Sequence, residues 1–508
     1  MFSAVGQQLA YFAQAVAVSF TPMHIAVVAA ATIMGIIVGA VPGLTATMAL
    51  ALLINLTYSM EMGNAIAFLL GVYIGAVMGG CYSAIMINIP GTPSAAATAL
   101  DGFVLARQGN GGRAVGAGII ASFVGSTISI LILLLLTPFV YRVALKFGHW
   151  ENFLLAVFGI MICGNLSTDS SPIKGWIVGF LGFFTAMIGL DAVYSFPRFT
   201  FGSYNMMAGI SLIPALIGVF GISEILIVLQ DRTPYKIEGR VGKILPDKGI
   251  LKQILTPAAR SGVIGSAIGA IPGAGEDIAA WVAYDVGKRR SKNSKMFGKG
   301  SYEGLASAET ANNACVGGAM IPLLTLAVPG SPPAAMFLAA IMLHGVKPGP
   351  MLAFEQPTFL YQTGTTLFIA TVCMLIFGLL LVKPMVSILK VNRKILMPII
   401  VPLTVIGAYA GNVNPFDIFV MFIFGIIGYI LRKQDYPMAP LVLGIILGPN
   451  ADIYFRQALM QGQGSILPLL ARPVGAILII AIVLIVISGA RRAKKLAQVN
   501  SQGVSENE

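Results

Sequence analysis

Charged side chains are scarce in this sequence. Of its 508 residues only 10% are Asp, Glu, Lys or Arg, against roughly 25% in a soluble domain, which excludes an ordinary water-soluble enzyme. Cysteine is nearly absent as well: Cys81, Cys163, Cys315 and Cys373 all lie in apolar context without metal-ligand spacing and read as small buried hydrophobes. The histidines, His24, His149 and His344, show no ligand spacing either, so no metal site is expected. Catalytic signatures are missing too. The chain holds no GxxxxGK[ST], HExxH or GxSxG, and the FGKGS around Lys299 has the wrong spacing for a phosphate loop. Enzyme activity therefore has no supporting residue set, and no resident cofactor is expected.

What the sequence has instead is apolar length. Runs such as 113–137, 208–229, 358–382 and 472–490 match the ~30 Å hydrocarbon core of a bilayer, so the expected class is an all-α polytopic membrane protein. The 58 glycines and 28 prolines sit within apolar stretches, where they mark broken helices and close packing. A net charge of +12 lies between and after the apolar segments, which makes it a topology signal and not a nucleic-acid footprint. The opening residues lack a basic n-region and a small-residue cleavage site, and 4–20 read as a first helix.

An internal repeat organises the chain. GIIVGAVPGLT from Gly35 and GSAIGAIPGAG from Gly265 share GxxxGxxPG, their prolines 230 residues apart. NIPGTPSAAA from Asn88 and AVPGSPPAAM from Ala327 follow in the same order, 239 residues apart at their first prolines. One GxxxG commonly marks helix packing, whereas two ordered pairs at a nearly constant offset point to duplication. The loops 231–260 and 285–303 hold seven and six basic residues and should face the cytoplasm, with 383–394 and the tail after 490. The stretch 257–288 then returns to its side of entry as a re-entrant hairpin broken at Pro272-Gly273. Its counterpart 23–57, broken at Pro42-Gly43, is followed by YSMEMG without a basic residue and enters from the opposite side. Only Arg142, Lys146, Arg198, Lys347, Arg456 and Arg472 fall outside in this scheme. The expected organisation is two inverted-topology repeats, 1–230 and 257–490, each with a re-entrant hairpin and a broken helix. A basic cytoplasmic linker, 231–256, joins them, and 491–508 forms a cytoplasmic tail.

Broken helices at membrane depth expose backbone N–H groups carrying partial positive charge, a ready anion site. Four such tips meeting near the midplane is the arrangement of secondary transporters. The candidate substrate-binding residues are accordingly Pro42, Gly43, Thr45, Asn88, Pro90, Gly91, Thr92, Ser94, Pro272, Gly273, Gly275, Asn312, Asn313, Pro329, Gly330 and Ser331. Hydroxyls at Thr45, Thr92–Ser94 and Ser331 are expected to cap the helices that follow. Enlarging Gly91 or Gly330 to Val is expected to abolish transport while leaving membrane expression near normal. Intramembrane ionisable residues are few. Glu276, Asp277 and Glu309 are candidates for ion coupling, with Glu309 and Asn313 on one helix face at i, i+4. They could instead cap helices or pair with Lys288 and Arg289. Asp101, Glu224 and Asp417 lie nearer segment ends and read as solvated, and Trp150, Trp176 and Trp281 read as anchoring or packing residues.

At these motifs the sequence resembles the large membrane subunit of the tripartite tricarboxylate transporter family. The resemblance rests on GIIVGAVPGLTATMALALL, on NIPGTPSAAATALDG and above all on the block from IGAIPGAGEDIAAWVAYDVGKRR through LAVPGSPPAA to HGVKPGP, and it extends over nearly the whole chain. It implies a bacterial inner-membrane uptake system driven by a sodium or proton gradient, with a small membrane subunit and a periplasmic solute-binding protein that delivers a tricarboxylate or other organic acid. Members often carry glycine or another small residue where Glu276 stands, so that carboxylate departs from the pattern. A channel or a membrane-embedded enzyme is the alternative class. An elevator-like displacement of the early blocks, 23–107 and 257–345, against the later spans is the expected mechanism, and rocking of one half against the other is its rival.

Overall fold

The computed structural model describes residues 2–90, 92–166, 172–230, 241–389, 393–470 and 472–505. Gly91 and most of the linker's first part, 231–240, lie outside the described residues. The chain is helical almost throughout; among the described residues one antiparallel strand pair, Gly189–Leu190 with Pro197–Arg198, interrupts it. Among the described residues eight helices are long and apolar enough to cross a membrane. Side chains such as Leu135, Phe139, Phe419 and Ile477 are more than half exposed on them, as lipid-facing residues would be. This is an all-α polytopic membrane protein.

Its interior is built around Met62–Ile87, whose residues from Ala65 onward are buried, including Tyr73 and Tyr82. Pro22–Ala40 packs along it, and the glycines of the first repeated motif explain how closely. A Cβ on Gly35 would run into the carbonyl oxygen of Val72, and one on Gly39 into that of Ala76. The second motif does the same work in Lys248–Gly269. A Cβ on Gly265 or Gly269 would meet the carbonyl of Ala311 or Cys315 in Tyr302–Leu326. The GxxxG halves of the motifs are thus backbone-to-backbone contacts, and the PG halves are the turns that end the helices, with Gly43 at φ 90° and Gly273 at φ 72°. After the first turn Thr45 caps Ala46–Leu53 by accepting from the Met48 N–H. After the second, Gly275–Arg290 starts without a side-chain cap.

The second pair of breaks matches in backbone as well. Met62–Ile87 ends on Asn88 at φ 56°, ψ 27°, and Tyr302–Leu326 ends on Ala327 at φ 56°, ψ 28°. Each left-handed residue stops its helix one residue before a hydrophobic-Pro-Gly step. The helices that follow are Ala95–Leu105 and Pro332–Leu343. Ser331 caps the latter by accepting from the Ala334 N–H, but Ser94 sits in helical geometry and makes no cap bond. Thr92 Oγ1 and Ser94 Oγ bond each other instead, at 2.9 Å. The expected cap at Thr92–Ser94 is therefore absent, because the turn has already begun at Thr92, whose carbonyl receives the Ala95 N–H.

Small residues also fix how the remaining helices are shared. Gly125 of Gly111–Ala144 lies against the carbonyl of Thr310, so this long helix packs on Tyr302–Leu326. Phe359–Leu380 joins Met62–Ile87, where Tyr82 donates to the Gly378 carbonyl at 2.5 Å. In the later spans Gly182 abuts the Leu441 carbonyl, tying Pro172–Ala186 to Met438–Gln461, and Gly218 abuts that of Met421, tying Leu212–Gln230 to Pro415–Lys433. Helices before 230 and helices after 257 thus interleave throughout.

Candidate functional site

The four broken tips converge. A cavity of about 780 Å³ is lined by Thr45–Thr47, Thr92–Ser94, Gly273–Asp277 and Pro332-Pro333, one stretch from each break. Phe220, Trp281, Arg432, Tyr436–Ala439 and Arg492 complete the lining. Four helix N-termini, those of Ala46–Leu53, Ala95–Leu105, Gly275–Arg290 and Pro332–Leu343, therefore open on one space. Their dipoles favour an anion there, although Pro332 and Pro333 carry no N–H and the Gly275 and Ala334 N–H groups are taken by Gly330 and Ser331.

The tips are bound to one another. The Gly275 N–H donates to the Gly330 carbonyl at 3.1 Å, joining the two breaks of the later segment. Glu276, buried beside the cavity, accepts on Oε1 from Tyr73 OH at 2.7 Å and from Ser331 Oγ at 2.9 Å. The Tyr73 and Ser331 oxygens are themselves 2.8 Å apart. Asp277 is exposed to the cavity and faces the backbone amide of Ser94 from the other segment. Two carboxylates thus stand at a site whose N-termini attract negative charge. Arg432 also lines the cavity, ion-paired with Glu224.

Of the candidate residues, Thr45, Thr92, Ser94, Gly273, Gly275, Glu276 and Asp277 line the cavity. Ser331 reaches it through Glu276. Pro42, Gly43, Asn88, Pro90, Pro272, Pro329 and Gly330 form the turns behind the lining, and Gly91 lies outside the described residues. At Gly330 a Cβ would run into the Gly269 carbonyl and contact Ala319. Enlarging it would disturb helix packing, so the expectation of near-normal expression for Gly330→Val does not fit this contact. Asn312, Asn313 and Glu309 are elsewhere, fully buried within Tyr302–Leu326. Glu309 accepts from Thr98 Oγ1 at 2.5 Å and from Ser122 Oγ at 3.2 Å. The three acidic candidates therefore divide between two places, and among the described residues none pairs with Lys288 or Arg289; Arg289 pairs with Asp285 instead.

Several residues read as solvated are buried. Asp101 is inaccessible: its Oδ1 accepts from the backbone N–H groups of Gly298, Gly300 and Ser301 at 2.8–2.9 Å, and its Oδ2 from Tyr284 OH at 2.8 Å. It sits at a segment end as expected, but the basic loop folds back over it. Asp417 is likewise buried and accepts from Asn412, while Glu224 is paired with Arg432. Trp150 is buried and Trp176 donates to the Met161 carbonyl, both packing as expected, whereas Trp281 faces the cavity. Tyr73, Thr47, Thr98 and Ser122 were not singled out by sequence, because single hydroxyls in apolar helices are common and only their partners distinguish them.

The family model described as the tripartite tricarboxylate transporter TctA family matches residues 25–443. Two proteins of Agrobacterium vitis are similar. One, described as an uncharacterized 52.8 kDa protein in the TAR-I ttuC' 3' region, is 33% identical over 481 residues, which is 94% of this chain and 96% of that protein. The other, described as an uncharacterized protein in the TAR-II ttuC' 3' region, is 36% identical over 215 residues, 42% of this chain and 89% of that protein. No solved structure matches. With 25–443 spanning both pairs of breaks and every tip of the cavity, this chain belongs to the tripartite tricarboxylate transporter TctA family.

Proposed function

We propose that this chain is the large membrane subunit of a binding-protein-dependent secondary transporter that imports a carboxylated small molecule, a tricarboxylate or another organic acid, across the bacterial inner membrane. The convergence of four helix N-termini on one cavity carries the reading, since it aims the positive ends of helix dipoles from both segments of the chain at one space. A sodium or proton gradient drives the uptake through Glu276, Asp277 or Glu309. The partners are a small membrane subunit and a periplasmic solute-binding protein, which the family membership supports.

The two segments act as inverted repeats, 1–230 and 257–490, joined by the basic linker 231–256; the matched left-handed breaks at Asn88 and Ala327 support this. With the basic loops in the cytoplasm, the cavity wall that carries Arg432 and Arg492 lies on the cytoplasmic side. The cavity is then inward-facing. The moving body is larger than the early blocks alone, because Gly111–Ala144 and Phe359–Leu380 pack on them through Gly125 and Gly378. Spans 149–230 and 393–490 form the frame. Rocking of one half on the other would shear the Gly125–Thr310, Gly182–Leu441 and Gly218–Met421 contacts together, which favours the elevator.

The test is uptake of radiolabelled organic acids into proteoliposomes holding both membrane subunits, with the binding protein outside and an imposed sodium or proton gradient. Accumulation that needs the gradient and the binding protein is expected. Equilibration without a gradient would identify a channel, and consumption of the acid without movement would identify an enzyme.

A further inference from the structure

We propose that Glu309 is the anionic ligand of a buried sodium site, distinct from the substrate cavity and caged by protein oxygens of three helices. The inference rests on the transporter reading above and deepens it.

Glu309 is fully buried, and its partners are hydroxyls: Thr98 Oγ1 at 2.5 Å and Ser122 Oγ at 3.2 Å, each donating to one carboxylate oxygen. Among the described residues no basic side chain is paired with it. A lone carboxylate in a dry interior costs several kcal/mol unless a positive charge reaches it. A second observation says what that charge meets. Asn313, one turn beyond Glu309, bonds Ser122 Oγ through Nδ2 at 2.8 Å, which brings its amide beside the same carboxylate. Among the described residues its Oδ1 has no protein partner, nor has the hydroxyl of Ser126, one turn beyond Ser122, and both residues are buried.

Counting acceptors favours a cation over a proton. A proton on Glu309 satisfies one acceptor and leaves the rest, whereas a hard cation takes about six oxygens and can use both Glu309 oxygens with those of Thr98, Ser122, Ser126 and Asn313. One carboxylate balances one unit of charge, which suits a monovalent ion better than calcium. Size favours sodium over potassium, because the two helices are clamped on either side of the site. Gly118 lies against Cys81 and Glu309, and Gly125 against the Thr310 carbonyl.

The site also has a route to the substrate. Thr98, on Ala95–Leu105, stands one turn from Ser94, which lines the cavity just before that helix begins. A cation held by Glu309 and Thr98 fixes that tip to Tyr302–Leu326 and so orders one of the four anion-binding ends.

The experiment is thermal melting of the full-length protein in detergent, titrated with NaCl at constant ionic strength against choline chloride and KCl. A saturable rise in Tm with sodium, absent with potassium and choline, is expected. Glu309→Gln should abolish the rise. Ser126→Ala, a small change within the cage, should raise the half-saturating sodium concentration about tenfold, as loss of one ligand to a charge implies. Asp285→Asn, on the surface and paired with Arg289, should keep the wild-type response. A sodium response unchanged in Glu309→Gln and in Ser126→Ala would overturn the proposal. So would a wild-type Tm that follows pH and ignores sodium, which would make Glu309 a proton site. If sodium binds as expected while proteoliposomes take up no organic acid, the transport reading fails and the site stands.

Discussion

At the scale of single residues, the buried polar contacts carry the most specific consequences. Asp101 receives three backbone N–H groups from 298–301 and the Tyr284 hydroxyl. Each hydrogen bond to a buried charge contributes about 1.5–3 kcal/mol, so Asp101→Ala should release the 291–301 loop. Trypsin should then cut at Lys292 or Lys295 many times faster in the folded protein, and an unchanged cleavage rate would remove Asp101 from this role. Asp191 gives a prediction in pH. Burial opposes its charge, but the N–H groups of Tyr194 and Val193, with Arg456 and Arg198, outweigh burial and hold the carboxyl below the usual aspartate range. A lowered folded-state pKa stabilises fully above the ordinary aspartate value and is lost as acidification passes the folded one. Asp191→Asn should therefore melt below the wild type at neutral pH, and the gap should close as acidification carries the medium below the ordinary aspartate range. A constant gap across that range would contradict the charge network of Asp191, Arg198, Asp452 and Arg456.

Elements in this protein meet through their backbones. Gly39 and Gly269 occupy corresponding places in the two motifs, and each faces a carbonyl oxygen that cannot move without its helix. Overpacking against backbone belongs at the upper end of its usual cost, about 3 kcal/mol or more. Gly39→Val and Gly269→Val should lose the monodisperse peak of the detergent-solubilised protein on size exclusion. Gly63→Val, with nothing within 4 Å of its Cβ position, should retain it. Equal behaviour of the three variants would show that the GxxxG contacts do not hold the helix pairs.

For the whole molecule, orientation and motion are the open physical questions, and each has a direct measurement. A cysteine at position 293, in the basic loop, should resist membrane-impermeant maleimide in intact cells and react in inverted vesicles; labelling from outside would reverse the assigned topology. The elevator predicts that contacts between body and frame of one segment break during turnover. An ideal Cβ at Gly43 lies 3.9 Å from Val228 Cβ, close to the disulfide spacing of about 3.8 Å. The Gly43→Cys, Val228→Cys pair, oxidised, should stop uptake and recover it on reduction, with the left-handed backbone at 43 costing about 1–2 kcal/mol. Rocking keeps that contact in both states, so full turnover of the oxidised pair would exclude the elevator.

The membrane class was legible in sequence because a bilayer imposes length and apolarity on each span locally, whatever the neighbours. The four breaks were legible for the same reason: Pro lacks a donor, and Gly at 43 and 273 takes positive φ within its own few residues. That the motif glycines 35, 39, 265 and 269 would be contact residues follows from their spacing alone. Which carbonyls they touch does not. The separation of Glu309 from Glu276 and Asp277 and the burial of Asp101 under a charged loop were decided by tertiary structure. Each depends on groups about 200 residues apart, such as Tyr73 with Glu276, Thr98 with Glu309, or Asp101 with Ser301. Periodicity fixes which face a hydroxyl or carboxylate occupies. Only packing determines what stands opposite it, and in a low-dielectric interior the partner decides whether a charge is a cap, a latch or a site.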